Sequence, residues 1–323
     1  YNHELILNES HIDLAREVSE ESMVLIKNEN ILPTGFTTTH GRLNISNRKE
    51  FIKNPINLIK LFQLSLRTHL LIHPEALRLV ANHISIIDDN FRKDEKANAI
   101  FVDLLLNYNN PEKALRHMNE VGFLGAFIPE FDRIVAMMQF NMYHSFTVDE
   151  HIIQCIRNLA EIEHKNLVED LPIASEILSG DINRRILYVA LLLHDIGKGL
   201  PGDHSIVGSE IAKTLAPRLG LKPEESEIVE WLIKNHLLMS DVAQKRDITD
   251  SRTVSDFATI VTSAAKLKLL TVLTVCDIRG VGPNAWNNWK AVLLRELYSQ
   301  TLAFLNEGSM SSSRPEKIKS RKK

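Results

Sequence analysis

Two adjacent residues near the middle of the chain, His194 and Asp195, carry the side chains best suited to chemistry. They follow an apolar run, Ile186 to Leu193, that has the character of a buried helix. A carboxylate buried there destabilises the fold unless its charge is compensated. A divalent metal ion would compensate it, because carboxylate oxygen and neutral imidazole are both normal ligands. The alternative is a hydrogen-bonded His–Asp pair that only caps a core helix.

Other candidate ligands lie near the ends or breaks of further predicted helices. They are His151, His204, His236 and Asp277. Each has a structural alternative, because a single histidine is most often a surface or core residue, and Asp277 could pair with Arg279. A mixed set of histidine and aspartate is less typical of zinc than a set of thiolates is, and it suits Mg or Mn, with Fe as a further option. The candidate set contains no cysteine, so the sequence leaves the metal open.

Helices must position these residues, since the apolar spacing is helical and glycine (13) and proline (11) are sparse. Thr147 followed by Glu150 predicts a capping box that places His151 one turn into a helix. The apolar run that carries the dyad should end at Gly197 or Gly199. Four further helices are expected, over residues 206–219, 224–236, 254–277 and 286–304. We therefore predict an all-α fold, with a helical linker region followed by a helical bundle.

The chain divides into four predicted segments. Residues 1–34 form an N-terminal segment of uncertain role, with one amphipathic stripe, and residues 34–50 read as a loop. A helical linker domain should span residues 35–140, and the domain that carries the candidate ligands should span residues 141–308. Residues 309–323 are rich in serine and then basic, which predicts a disordered tail.

The amino-acid composition limits the kinds of protein to which this chain can belong. The 323 residues are 44% hydrophobic and 24% charged, with a net charge of −3, which predicts a globular chain with no nucleic-acid partner. Two cysteines imply no disulfide framework and fit a reducing compartment. No run approaches the roughly 20 apolar residues of a membrane span. We expect a cytoplasmic protein without a membrane partner.

The order of the candidate ligands resembles that of the HD-domain phosphohydrolase superfamily. That resemblance implies that His151, His194, Asp195 and Asp277 form the core metal site. It also implies that His204 and His236 extend the site to a second ion, as in some members, and that Lys198 lies next to the phosphate. Divalent ions suit such a reaction because they neutralise a phosphodiester and activate water at neutral pH. Asp195 and Lys198 are then the expected catalytic residues.

Several segments narrow the resemblance to the PII uridylyltransferase/uridylyl-removing enzymes. Those in the second half of the chain are residues 138–151, 202–205, 235–240 and 276–283, with Trp286 and Asn287. Those in the linker region are residues 41–44, 54–55 and 128–131. They keep their order and cover roughly residues 35–305.

The family is bifunctional. Its nucleotidyltransferase domain adds UMP to a tyrosine of the nitrogen-signalling protein PII, its HD domain removes that UMP, and its ACT domains sense glutamine. This sequence lacks the Gly-Ser and Asp-x-Asp signature of the transferase, and no ACT domain follows the last HD helix. The resemblance therefore implies hydrolysis of uridylyl-PII by this chain and not the transfer reaction, and it leaves glutamine control open.

Three hypotheses follow. The first is a metal-dependent phosphodiesterase that releases UMP from uridylylated PII. The second is an HD hydrolase that acts on a free nucleotide. The third is a catalytically idle remnant that only binds PII.

Overall fold

The computed structural model of the chain describes residues 32–138 and 145–312. Three parts of the chain lie outside these ranges: most of the N-terminal segment predicted over residues 1–34, part of the motif at 138–151, and the tail from residue 313. The described residues are predominantly helical, which confirms the predicted fold class. They share one hydrophobic core that extends from Phe36 to Tyr298.

A β-hairpin stands where the sequence predicts a loop. Strands β1 (Phe36–Thr39) and β2 (Arg42–Ile45) pair antiparallel, with Phe36 opposite Ile45. The two turn residues, His40 and Gly41, have positive φ values of 50° and 71°, as the tight turn of a two-residue hairpin requires. Leu43 is fully buried beneath the hairpin. The prediction of a loop is wrong. The strands are only four residues long and the first is rich in threonine, so the segment shows no clear alternation of apolar and polar residues.

Short helices follow the hairpin and pack around a cluster of phenylalanine rings. Phe123 stacks on Phe127, and its ring meets Phe62 and Phe91 edge to face at 5.5 and 6.3 Å between centroids. The helices of this first region are α1 (Arg48–Lys53), α2 (Ile56–Thr68), α3 (Pro74–Ala81), α4 (Asp89–Lys93), α5 (Glu95–Leu106), α6 (Pro111–Glu120), α7 (Phe123–Phe127) and α8 (Pro129–Asp132), with a 3₁₀ turn at Ile84–Ile86.

The second region is a bundle in which α9, α11 and α16 pack against one another and enclose the candidate ligands. Its helices are α9 (Val148–Glu163), α10 (Pro172–Ser179), α11 (Arg184–Leu193), α12 (His204–Arg218), α13 (Pro223–Lys234), α14 (Leu238–Lys245), α15 (Ser251–Val261), α16 (Ala264–Val281) and α17 (Asn288–Ser312).

Polar contacts join the two regions along α6 and α9. Arg116 binds Glu150 at 2.8 Å, and the Asn119 amide donates to Asp149 at 2.7 Å. These bonds also correct the predicted capping box. The helix begins after Thr147 as expected, but the Thr147 side chain makes no capping hydrogen bond, and Glu150 turns to Arg116 instead.

The helix predicted over residues 254–277 is interrupted. Thr262 takes a left-handed conformation (φ 68°), and Ser263 caps α16 by accepting from the Lys266 amide. Helices α15 and α16 are bent by 100° relative to each other. The apolar periodicity of the sequence continues across the break, so the break could not be predicted from that pattern alone.

Within the described residues, no single helix is long and apolar enough to cross a membrane. The bent pair α15 and α16 passes such a test by length and composition together.

The break at Thr262 generates a stability prediction. A β-branched residue in the left-handed region is strained by about 1–2 kcal/mol, which exceeds the roughly 0.4–1 kcal/mol of added chain entropy that glycine brings. We expect Thr262→Gly to raise the free energy of unfolding by up to about 1 kcal/mol in urea titrations. Thr259→Gly, inside the exposed face of α15, should lower it instead. Equal losses in both variants would contradict the strain at Thr262.

Candidate metal centre

Helix α11 delivers the dyad to the centre of the bundle. Its apolar residues are buried from Ile186 to Leu193, and His194 and Asp195 follow with exposures of 0% and 1%. The chain can turn back at Gly197 only because it lacks a side chain, since an added Cβ would overlap the carbonyl oxygen of His204 and lie 2.7 Å from the Gly208 amide. This close approach brings the start of α12, and with it His204, beside the dyad.

His151 on α9 and Asp277 on α16 meet the dyad from the other side. The His151 Nε2 atom lies 3.1 Å from Asp277 Oδ1 and 3.2 Å from His194 Nε2. His194 Nε2 lies 3.7 Å from the same Asp277 oxygen. The structure thus brings together nitrogen and oxygen donors from three helices that are far apart in sequence.

Backbone carbonyls fix the orientation of two imidazoles. His194 Nδ1 lies 2.8 Å from the carbonyl oxygen of Leu191, and His236 Nδ1 lies 2.7 Å from that of Ile233. If Nδ1 carries the proton and donates a hydrogen bond to the carbonyl oxygen, the lone pair of Nε2 faces the centre of the site. Metal-binding histidines usually have this arrangement, because the second hydrogen bond holds the ring and its tautomer.

Asp195 stands between two groups of histidines. Its Oδ2 atom lies 3.6 Å from His151 Nε2 and 3.5 Å from His194 Nε2, while Oδ1 lies 3.8 Å from the Nε2 atoms of both His204 and His236. Oδ1 is buried and accepts no hydrogen bond from the described residues. A buried carboxylate oxygen without a donor is unfavourable unless a cation approaches it.

The donor atoms fall into two compact groups. One contains His151, His194 and Asp277 together with the buried Cys155 sulfur, and the other contains Asp195, His204 and His236, with the atoms of each group within 4.8 Å of one another. Imidazole nitrogen and carboxylate oxygen suit a divalent ion, and the unbonded Asp195 oxygen faces the second group. The residues present therefore fit a divalent metal centre.

Lys198, three residues after Asp195, binds its Oδ2 atom at 2.6 Å. The lysine thus lies at the site, as the sequence predicts. Its ammonium is paired with the carboxylate, and the lysine side chain is 19% exposed. The role of Lys198 in binding the substrate phosphate stays a prediction.

The surroundings hold both carboxylates ionised. Burial alone would raise the pKa of Asp195, but His194 and Lys198 outweigh it and keep the pKa well below the ordinary value. For Asp277, burial is likewise outweighed, chiefly by the hydrogen bond with His151, and the pKa lies at about 2. Both groups are therefore anionic at neutral pH and able to ligate a cation.

The histidines differ in their charge. Burial lowers the pKa of His194 to about 4 and also lowers that of His204, so both are neutral ligands at pH 7. Burial opposes the charged form of His151 too, but the nearby Cys155 sulfur and Asp277 raise its pKa well above the ordinary value. A ligating imidazole must be neutral, so metal binding at His151 would release a proton.

Sequence reasoning missed four residues near the site. Cys155 lies one turn after His151, with its sulfur 3.7 Å from Nε2, and this i, i+4 spacing was readable. Ser240, Gln244 and Lys290 line the cavity of about 360 Å³ that opens onto the cluster. No spacing signal points to these three, because they come from α14 and α17 and meet the cluster only through the tertiary fold.

A family profile identifies the class of this site. The profile described as "HD domain" matches residues 148–269, which include the dyad and all four histidines of the centre, whereas Asp277 lies beyond the matched range. The bundle is thus an HD domain, and HD domains bind divalent metals.

A second profile, "Uridylyltransferase GlnD third domain", matches residues 36–127. The chain thus matches a uridylyltransferase third-domain profile and an HD-domain profile, in that order along the sequence.

Two curated relatives carry the family's name. The chain is 58% identical over 292 residues to the bifunctional uridylyltransferase/uridylyl-removing enzyme of Cereibacter sphaeroides, which covers 90% of this chain and 31% of the relative. It is 60% identical over 274 residues to that of Ruegeria pomeroyi, which covers 85% of this chain and 30% of the relative. The chain therefore spans about a third of the length of these relatives.

Among solved structures, an apo form of a CCA-adding enzyme aligns with 83% of this chain and 51% of its own, at 14% identity and a TM-score of 0.48. A likeness of this degree supports no conclusion about function.

Gly280 links the packing of α16 to the geometry of His151. An added Cβ at this position would overlap Cys155 Sγ and lie 3.1 Å from His151 Nδ1. We expect Gly280→Ala to lower the free energy of unfolding by about 1–3 kcal/mol, as overpacking of a core does. It should also weaken Mn²⁺ binding, measured by calorimetric titration, because the His151 ring must shift.

Cys155→Ala should restore part of the loss when combined with Gly280→Ala, since it removes the atom that the new methyl group meets. Gly180→Ala is the matched control, because that glycine is exposed and its added Cβ would meet the Ile177 carbonyl oxygen at an ordinary 3.4 Å. Strict additivity of the two core substitutions would count against direct contact.

Proposed function

We propose that this chain is a metal-dependent phosphodiesterase whose substrate is a uridylylated protein. The observation that carries the proposal is the position of Asp195, whose two carboxylate oxygens face different pairs of histidines. A carboxylate placed in this way could supply a ligand to each of two ions. Such pairs are a recurrent device for cleaving phosphate esters.

In this proposal one ion is held by His151, His194, Asp277 and Asp195, and a second by His204, His236 and Asp195. Bound divalent ions would neutralise the charge of a phosphodiester and lower the pKa of water that attacks it. The donor set contains more imidazole than a magnesium site usually has, so we favour Mn²⁺, with Mg²⁺ and Fe²⁺ as alternatives.

The residues of the chain have separate tasks. The carbonyl-bound imidazoles of His194 and His236 keep the ligand geometry fixed before a substrate arrives. Lys198 holds the Asp195 carboxylate in place from the open side of the site and can turn to a phosphoryl oxygen. The near-complete burial of His151, His194 and Asp195 excludes bulk water, which strengthens these electrostatic interactions.

The relatives' name supports the choice of substrate. They are called uridylyl-removing enzymes, and an HD domain carries the hydrolase activity of such enzymes. We propose the tyrosine-linked uridylyl group of PII as the substrate, UMP as the product and the cytoplasm as the location. The proposed domains, residues 35–140 and 141–308, enclose the ranges that the two profiles match. Transferase activity is not part of the proposal.

The direct test is release of UMP from uridylylated PII by the purified chain with Mn²⁺, Mg²⁺ or a chelator. We expect metal-dependent release, and a loss of at least about 1,000-fold in Asp195→Ala, because this change removes ligands from both proposed ions. Asp241→Ala is the matched control, since Asp241 is an exposed carboxylate that only pairs with Lys245. Its rate should equal that of the wild type.

Two results would contradict the proposal. Undiminished release in Asp195→Ala would place the chemistry elsewhere. Absence of release with every metal, together with hydrolysis of free nucleotides in the same assay, would favour the nucleotide hydrolase. The buried ligands His151, His194, Asp195 and His236 argue against the idle remnant, because buried polar and charged groups without a function destabilise a fold.

A further inference from the structure

A second lysine, Lys290, lines the cavity beside the His/Asp cluster. It lies in the first turn of α17 and is half-buried. Its Nζ atom donates to the carbonyl oxygen of Ala285 at 2.7 Å. An ammonium group has three donors, so two of them are left for a ligand in the cavity.

The other polar side chains around Lys290 are bonded to each other. Gln244 donates to the Ser240 hydroxyl at 2.7 Å, and Lys198 donates to Asp195 at 2.6 Å. Among the side chains described in residues 32–138 and 145–306, no carboxylate forms an ion pair with Lys290. Its positive charge is therefore not offset within the part of the chain that the structure describes.

This difference between the two lysines matters for an anionic substrate. A phosphodiester entering the cavity carries negative charge and meets the carboxylates of Asp195 and Asp277 in its lining, so a further cationic side chain there favours binding. The charge of Lys198 is already offset by its contact with Asp195, whereas that of Lys290 is available. The cavity, at about 360 Å³, has the size of ordinary small-ligand sites, which run from roughly 300 to 1,000 Å³.

We infer that Lys290 is a substrate-binding residue, whose ammonium binds a phosphate oxygen of the nucleotidyl group held at the His/Asp cluster. The inference deepens the proposed function and rests on it for the identity of the substrate as a phosphate ester. It gives α17, which supplies none of the candidate metal ligands, a part in the site. Lys198 then holds the Asp195 carboxylate in place, and Lys290 binds the substrate phosphate.

The test uses binding of the product, UMP, to the Mn²⁺-loaded full chain, measured by calorimetry. Lys290→Gln removes the charge but keeps an N–H that can reach Ala285, so the loop can stay in place. We expect its Kd for UMP to rise roughly 10-fold or more, the loss of one charge-assisted hydrogen bond. Lys290→Arg should recover part of the affinity, and thermal unfolding should show all variants folded.

Lys268→Ala is the matched control, because Lys268 is an exposed lysine on α16 that does not line the cavity. It changes the net charge equally and should leave the Kd unchanged. An unchanged Kd in Lys290→Gln would overturn the inference. So would a wild-type chain that does not bind UMP at millimolar concentration, or an equal loss in the control, which would reflect net charge alone.

Kinetics separate this inference from the proposed function. If uridylylated PII is cleaved, Lys290→Gln should raise KM more than it lowers kcat, and an unchanged KM would refute the role of Lys290 while leaving the hydrolase intact. If uridylylated PII is not cleaved but UMP binding still depends on Lys290, the proposed substrate is wrong and the role of Lys290 stands.

Discussion

Asp195 keeps its negative charge in a position where only 1% of the residue is exposed, surrounded by four imidazoles and one ammonium. A carboxylate at that depth is tolerated only when nearby cations or donors compensate it. Lys198 donates a hydrogen bond to Oδ2, which also faces His151 and His194. The other oxygen, Oδ1, faces two imidazoles and accepts no hydrogen bond from the described residues. This asymmetry makes a cation-binding site out of what would otherwise be a structural ion pair.

The rest of the bundle follows from bringing donors on separate helices to this one carboxylate. Gly197 allows the chain after the dyad to turn back against the start of α12, and Gly280 allows α16 to approach α9. Both contacts are too close for any side chain, so the geometry of the centre depends on two positions that carry no chemistry themselves. The first region contributes through α6, whose Arg116 and Asn119 hold the first turn of α9 and thereby the helix that carries His151.

Much of the centre could be predicted from the sequence, and the limits have physical causes. His194 and Asp195 stand out because an apolar helical run ends in two polar residues, a local pattern that needs no tertiary structure. The break at Thr262 and the bond from Glu150 to Arg116 could not be predicted, because each is decided by packing between distant elements. Lys290 has no local signature for the same reason. The local pattern therefore points to the dyad, the resemblance to a known superfamily adds the other candidate ligands, and only the tertiary contacts bring Lys290 to the site.

The central claim is that Asp195 lies between two metal ions, and anomalous diffraction from crystals grown with Mn²⁺ tests it most directly. The account predicts two anomalous peaks about 3.5–4 Å apart. One should lie among His151, His194 and Asp277, the other between His204 and His236, with Asp195 contacting both. A single peak remote from Asp195, or no peak within reach of these six side chains, would contradict the account.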